Sequence, residues 1–148
     1  MRIRSCGKTD VGKRRKVNQD AFLIDESLGF FIVADGMGGH AGGEVASTET
    51  VEAVHDMVVR NRRVIDQFTA APISRESSLA ISRLMESSVQ SATYMVYGMA
   101  EQSPAHHGMG TTVSAMLLAG AYAVTAQVGD SRIYCIRDGE SVQLTEDH

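Results

Sequence analysis

Apolar positions along the chain come in two forms, short dense runs and longer stripes at helical spacing. The first nine residues, Met1 to Thr9, alternate loosely and predict a strand. Asp10 to Asn18 is polar and basic and predicts a loop. Ala21 to Ile24 predicts a second strand, Asp25 to Gly29 a turn, and Phe30 to Ala34 a third strand paired with the second as a hairpin. The run Phe30-Phe31-Ile32-Val33-Ala34 is short and continuous, so it reads as a strand buried on both faces. It stops at Asp35, and a glycine-rich stretch, Gly36-Met37-Gly38-Gly39-His40-Ala41-Gly42-Gly43, leads into a helical pattern.

Glu44 opens that pattern. Val45, Thr48, Val51, Val54 and Val58 recur at helical spacing and predict a helix to about Val64. Phe68 to Ser74, with Pro72, breaks it. A second long helix is predicted from Glu76 to Glu101, with Ile81, Leu84, Met85, Ser88, Ala92, Met95 and Met99 on one stripe that reads as core packing. Ser103 to Gly110 is a loop. Strands follow at Thr111–Leu118, Ala121–Val128, Ile133–Arg137 and Glu140–Leu144, the last two joined by the hairpin signal Asp138-Gly139. Three strands, two helices and four strands, grouped rather than alternating, imply an α+β fold with antiparallel sheets.

Composition narrows the class. The chain has 148 residues, with 43% hydrophobic and 22% charged. Both suit one globular domain. A net charge of -4 argues against nucleic acid or an anionic membrane as the main partner. No apolar run is long enough to span a bilayer, and Met1 to Ser5 lacks the apolar core of a signal peptide. Cys6 and Cys135 lack metal-ligand spacing and read as reduced thiols of a cytoplasmic protein.

Candidate chemistry gathers at strand ends. Asp20, Asp35 and Asp130 each lie at a strand edge beside a turn, where one rim of a sheet can bring distant carboxylates together. Such a set, with glycine carbonyls, favours Mg²⁺ or Mn²⁺ over zinc. The plainer reading of Asp35 is a residue that starts a glycine turn and caps the next helix. Arg15 can bind phosphate with its forked guanidinium, or can be one solvated cation of the run Lys13-Arg14-Arg15-Lys16. Gly108-Met109-Gly110-Thr111-Thr112 reads as a phosphate-contacting loop or, more simply, as close backbone packing at a strand start.

Five motifs stand in one order and spacing: Arg15-x-x-Asn18-Gln19-Asp20, Ala34-Asp35-Gly36-Met37-Gly38-Gly39-His40, Gly110-Thr111-Thr112, Gly129-Asp130-Ser131-Arg132-x-Tyr134 and Leu144-Thr145-Glu146-Asp147-His148. In this the chain resembles the bacterial PPM-type (type 2C) metal-dependent Ser/Thr protein phosphatases over essentially its whole length. The resemblance implies a four-layer α-β-β-α sandwich of two antiparallel sheets flanked by helices, incomplete in this chain. It implies two Mn²⁺ or Mg²⁺ ions bridged by the hydroxide that attacks phosphorus, and a third, weaker cation site. Residue by residue, Asp35 matches the carboxylate bridging both metals and Gly36 the glycine whose carbonyl ligates one. Asp20 matches the acid that holds metal-bound water, Arg15 the grip on the substrate phosphate, and Asp130 the carboxylate of the third site.

Two departures accompany the match. Many eukaryotic members carry histidine directly after the Asp-Gly pair as a candidate general acid, whereas this chain has Met37 there. His40 is a weak candidate acid, with a loop or cap role as its simpler reading. The family pattern continues with further metal-ligand aspartates beyond His148, so residues 1–148 are expected to form a single phosphatase domain truncated at its C-terminal side. The polypeptide alone is expected to be weakly active or inactive, with unpaired sheet edges that invite dimerisation. Phosphorylated proteins, opposing a Ser/Thr kinase, are the substrates implied. The alternative is a non-catalytic phosphatase-like binding or interaction module. A dinucleotide site on Gly36-x-Gly38-x-x-Ala41 is disfavoured, because Asp35 would face a pyrophosphate and the downstream strands come as hairpins.

Overall fold

The computed structural model describes residues 2–38 and 42–148. Its centre is the antiparallel hairpin of β1 (Asp20–Asp25) and β2 (Phe30–Met37). The register runs from Asp25 opposite Phe30 to Asp20 opposite Asp35, so the two strands end together on a pair of aspartates. Gly29 turns the chain in the left-handed region, at φ 71°, where glycine meets no steric penalty. On the other side of β2 lie β3 (Gly110–Thr111) and β4 (Val113–Ala119), and β5 (Tyr122–Val128) pairs with β4. The larger sheet is thus ordered β1-β2-β4-β5, with β3 also beside β2. A separate two-stranded sheet joins β6 (Tyr134–Arg137) to β7 (Glu140–Gln143). Its turn has Asp138 at φ 54° and Gly139 at φ 84°. Asp-Gly is among the pairs that tolerate two such positive values best.

Three helices cover one face of the larger sheet: α1 (Gly42–Arg60), α2 (Arg62–Ala70) and α3 (Arg75–Gln102). Val51, Val54 and Val58 of α1 pack with Phe30, Ile32 and Ala34 of β2, with Val113, Ala115 and Leu117 of β4, and with Ile81, Leu84 and Met85 of α3. Contiguous burial on this scale is the main driving force for the fold. Ser74 caps α3: its hydroxyl accepts from the Ser77 N–H, and the Ser77 hydroxyl accepts from the Ser74 N–H in return.

The class is α+β with two antiparallel sheets, as expected, but four local expectations change. Residues 2 to 9 form no strand; they are tied to Glu26 by the Ser5 amide and hydroxyl and cross the ring of Phe22 at Gly7. β2 is buried on one face only. Phe30, Ile32 and Ala34 are covered by helices, while Val33 is 46% exposed on the opposite face. Continuous apolar sequence reports both faces as apolar, not both as covered. The single helix predicted from Glu44 to Val64 is two helices, broken at Asn61, whose side-chain amide donates to the Met57 carbonyl at 2.8 Å. The break turns α2 so that Ile65 and Phe68 enter the core, and Phe68 lies inside a helix rather than in the predicted loop. The strand predicted at Thr111–Leu118 is interrupted at Thr112, for reasons that belong to the site. Among the described residues no helix is long and apolar enough to cross a membrane.

Candidate metal centre

The hairpin register places Asp20 and Asp35 opposite each other at one end of the sheet. Side chains of directly opposed residues share a face and stand about 5 Å apart at Cβ. Both aspartates are exposed, on the face away from the helices. Partial burial, then the like charge of Asp20 and the hydrogen bond shared with it, push the Asp35 carboxyl up from its ordinary value; Arg15 pulls it down and Asp130 adds to the push. Asp35 also keeps an open side to solvent, so the like charge of Asp20 is the cause that bears on function. Two oxygen-donor side chains that repel one another and remain reachable fit a hard divalent cation.

Backbone packing fixes the strand end. The Gly36 N–H donates to the Gln19 carbonyl at 2.9 Å, tying the residue after Asp35 to the residue before Asp20. A Cβ on Gly36 would collide with the backbone of Gly43 at the start of α1 and with the Gln19 carbonyl. Glycine is required there by close approach, which lets the helix start press against the strand end. The Gln19 side-chain amide donates to the Gly38 carbonyl at 3.2 Å and steadies the chain beyond Met37.

Thr112 stands opposite Asp35 and interrupts the ladder with its side chain. Its N–H donates to the Asp35 carbonyl at 2.9 Å, as a strand residue would. The Asp35 N–H, however, donates to Thr112 Oγ1 at 3.0 Å instead of to the Thr112 carbonyl. That carbonyl accepts from the Thr111 hydroxyl at 3.0 Å. Thr112 Oγ1 also shares a hydrogen bond with Ser131 Oγ at 2.7 Å. The Ser131 carbonyl accepts from Ser114 Oγ at 2.7 Å and from Gln127 Nε2 at 3.1 Å, and Gln127 Nε2 also donates to the Gly129 carbonyl. The turn carrying Asp130 is thereby stitched to β4 and β5.

Of the residues singled out from sequence, Asp20, Asp35 and Gly36 come together, and Arg15 and Asp130 act on Asp35 through charge. Arg15 is exposed and lines a groove with Lys16, Val17, Gln19 and Gly38. Asp20, Asp35 and Ser131 line the neighbouring groove. His40 lies outside the described residues. Among the described residues no three His, Cys, Asp or Glu side chains gather closely enough to hold a cation by themselves. Ser114, Gln127 and Ser131 escaped the sequence reading as site residues, and Thr112 entered it only as part of a candidate phosphate-contacting loop, not as a partner of Asp35. Thr112 and Ser131 sat inside quoted motifs, but nothing in a sequence tells that a threonine hydroxyl replaces its own carbonyl in a ladder.

A family model described as Protein phosphatase 2C matches residues 9–148. The chain is 32% identical over 145 residues to the serine/threonine protein phosphatase PstP of Mycobacterium tuberculosis, covering 98% of this chain and 25% of that protein. It is 35% identical over 144 residues to the serine/threonine phosphatase stp of Listeria monocytogenes, covering 95% of this chain and 53% of that one. The crystal structure of Mycobacterium tuberculosis PstP/Ppp superposes with a TM-score of 0.76 at 31% identity, over 95% of this chain and 52% of that chain. The catalytic domain of PstP in complex with two manganese ions gives a TM-score of 0.76 at 31% identity, over 95% of this chain and 54% of that one. The chain thus spans about half the length of stp and of these solved domains. With a family model matched along nearly all of it and two aspartates opposed where the hairpin ends, this chain belongs to the protein phosphatase 2C family.

Proposed function

We propose that the chain supplies one flank of a two-cation Mn²⁺ or Mg²⁺ centre that hydrolyses phosphoserine and phosphothreonine in proteins. The observation that carries this reading is the opposition of Asp20 and Asp35 across the hairpin, with Asp35 raised and Arg15 within its field. When bound, the cations would acidify a water and offset charge on the phosphate. Asp35 would hold the cations with its carboxylate and Gly36 with its carbonyl. Asp20 would hold water in the cation's shell, and Asp130 would serve the third, weaker site. Arg15 would lay its guanidinium fork on the phosphate oxygens. His40 is kept as a weak candidate for protonating the leaving hydroxyl. Substrates on this reading are phosphorylated proteins, opposing a Ser/Thr kinase.

Residues 1–148 alone are expected to hold the cations weakly and turn over little, because Asp20 and Asp35 are the only carboxylates brought together at the strand ends among the described residues. The test is Mn²⁺-dependent phosphate release from a phosphothreonine peptide, with Asp35→Asn as control. Robust Mn²⁺-dependent turnover by the 148-residue chain would overturn the expectation of weak activity, and turnover that survives Asp35→Asn would sink the role given to Asp35. With no three-ligand cluster among the described residues, a second reading stands beside the first, a phosphatase-like module that binds phosphoprotein without cleaving it. Phosphopeptide binding that persists with EDTA and is untouched by Asp35→Asn would select it. The larger sheet ends in β1 and β5, so self-association through these edges is also proposed, read as a concentration-dependent sedimentation coefficient.

A further inference from the structure

From the hydrogen bonds around Thr112 we infer that Ser131 is a positioning residue for Asp35, acting through the Thr112 hydroxyl. The relay has three members. Ser131 Oγ meets Thr112 Oγ1 at 2.7 Å, and Thr112 Oγ1 accepts from the Asp35 N–H at 3.0 Å. A hydroxyl has one proton and two lone pairs, so Thr112 can satisfy Asp35 and Ser131 together and nothing further is needed at that oxygen. Thr112 is also held from below. Gly129 lies at φ 98°, and a Cβ there would stand 2.7 Å from Thr112 Cγ2 and 2.9 Å from its Cβ. Glycine at 129 therefore lets the turn close on Thr112, and the Ser131 hydroxyl then orients it.

The consequence runs from one carboxylate to another. Asp130 sits between Gly129 and Ser131, on the turn that Ser114 and Gln127 pin through backbone carbonyls. Asp35 is held by its N–H at the far end of the relay. A shift of the turn is passed to the strand end by hydrogen bonds, over and above the repulsion that Asp130 exerts on Asp35. Partners of this kind, which orient a ligand without being one, commonly change cation affinity by about tenfold or more when removed. This part of the inference rests on Asp35 being a cation ligand; the relay itself does not.

The test uses Ser131→Ala, Thr112→Val, Thr112→Ser and the Ser131→Ala/Thr112→Val double variant. Hydrogen exchange of the Asp35 amide by NMR is the first readout, and Mn²⁺ binding is the second. Loss of the acceptor in Thr112→Val should speed Asp35 exchange by about tenfold, and Ser131→Ala by about threefold, the range expected for one hydrogen bond. Thr112→Ser keeps the hydroxyl and should stay near wild type. The double variant should match Thr112→Val, because both changes act through one oxygen. Amides of Ile32 and Ala115, in the middle of the same sheet, should move less. Mn²⁺ binding should weaken in the same order. Uniform acceleration across the sheet, or effects of the two changes that multiply, would overturn the inference. Ser131→Ala, at a half-buried turn, keeps the test open if Thr112→Val fails to fold. Wild-type protein that binds no Mn²⁺ would sink the proposed function while leaving the exchange result to decide the relay.

Discussion

The two ends of the β1–β2 hairpin handle a carboxylate in opposite ways. At one end Asp25 is satisfied. Its Oδ2 lies 3.0 Å from His55 Nε2, and its Oδ1 accepts from the Ser27 hydroxyl at 2.7 Å and the Leu28 N–H at 2.9 Å. Hydrogen bonds from His55 first and Ser27 next hold its pKa down at about 2. At the other end Asp35 faces Asp20, and its pKa is raised by burial and by that neighbour. One hairpin therefore has an end whose carboxylate is held by partners and an end where two like charges oppose each other. Two carboxylates set against each other at a strand end, with Arg15 their cationic neighbour, are what the proposed cation site is built on.

The sharpest way to break this contrast is through the packing that anchors each end. Phe30, opposite Asp25, is fully buried. Phe30→Ala should cost about 3–5 kcal/mol. A Cβ at position 36 meets backbone on two sides. Gly36→Ala should therefore cost about 3 kcal/mol, at the upper end of overpacking. Urea unfolding reads both. Phe30→Ala should leave Asp35 chemistry intact in whatever fraction stays folded, whereas Gly36→Ala should disturb it directly.

Asp25→Asn comes next, at about 1.5–3 kcal/mol, the range for hydrogen bonds made to a charged group. The sign of its pH dependence follows from a folded pKa lowered from 3.8 to about 2. That stability is fully present above the unfolded value and is lost as pH falls through the folded one. Wild type and Asp25→Asn should therefore differ in urea midpoint near neutral pH and converge in strong acid, below the folded pKa of Asp25. A constant gap would mean the carboxylate is not the source.

The smallest stability effect should have the opposite sign. Asp35 is pushed up by its neighbour Asp20. Without cations, Asp35→Asn removes that repulsion and should stabilise the protein by about 1 kcal/mol, the scale of a close, well-solvated charge pair. The raised Asp35 also fixes the pH dependence of the site. Protons compete with the cation for it, so Mn²⁺ affinity should climb with pH across the acid range and flatten once Asp35 is ionised. Calorimetry at several pH values reads this, and an affinity that falls with pH would contradict it.

Much of this was legible beforehand. The apolar run ending in Asp35, the glycines after it, the buried stripe of Ile81, Leu84 and Met85, and the Asp138-Gly139 turn are local signals, and the structure keeps them. What failed depended on distant partners. Residues 2 to 9 have strand-like alternation but no ladder to join. Val33 is apolar yet open, because coverage belongs to whatever lies above the sheet. The break at Asn61 is set by which way Ile65 and Phe68 must face to reach the core, a requirement that helical periodicity alone does not express. The Thr112 relay joins residues 35, 112 and 131, and only the folded register brings them together.

The most direct measurement is an electron paramagnetic resonance titration of Mn²⁺ against wild type, Asp35→Asn and Asp25→Asn at neutral pH. Weak binding, visible only at high Mn²⁺, should be seen in wild type and Asp25→Asn, and should vanish in Asp35→Asn even though that variant is at least as stable without metal. Equal binding by all three proteins would contradict the reading of the Asp20–Asp35 end as the cation site.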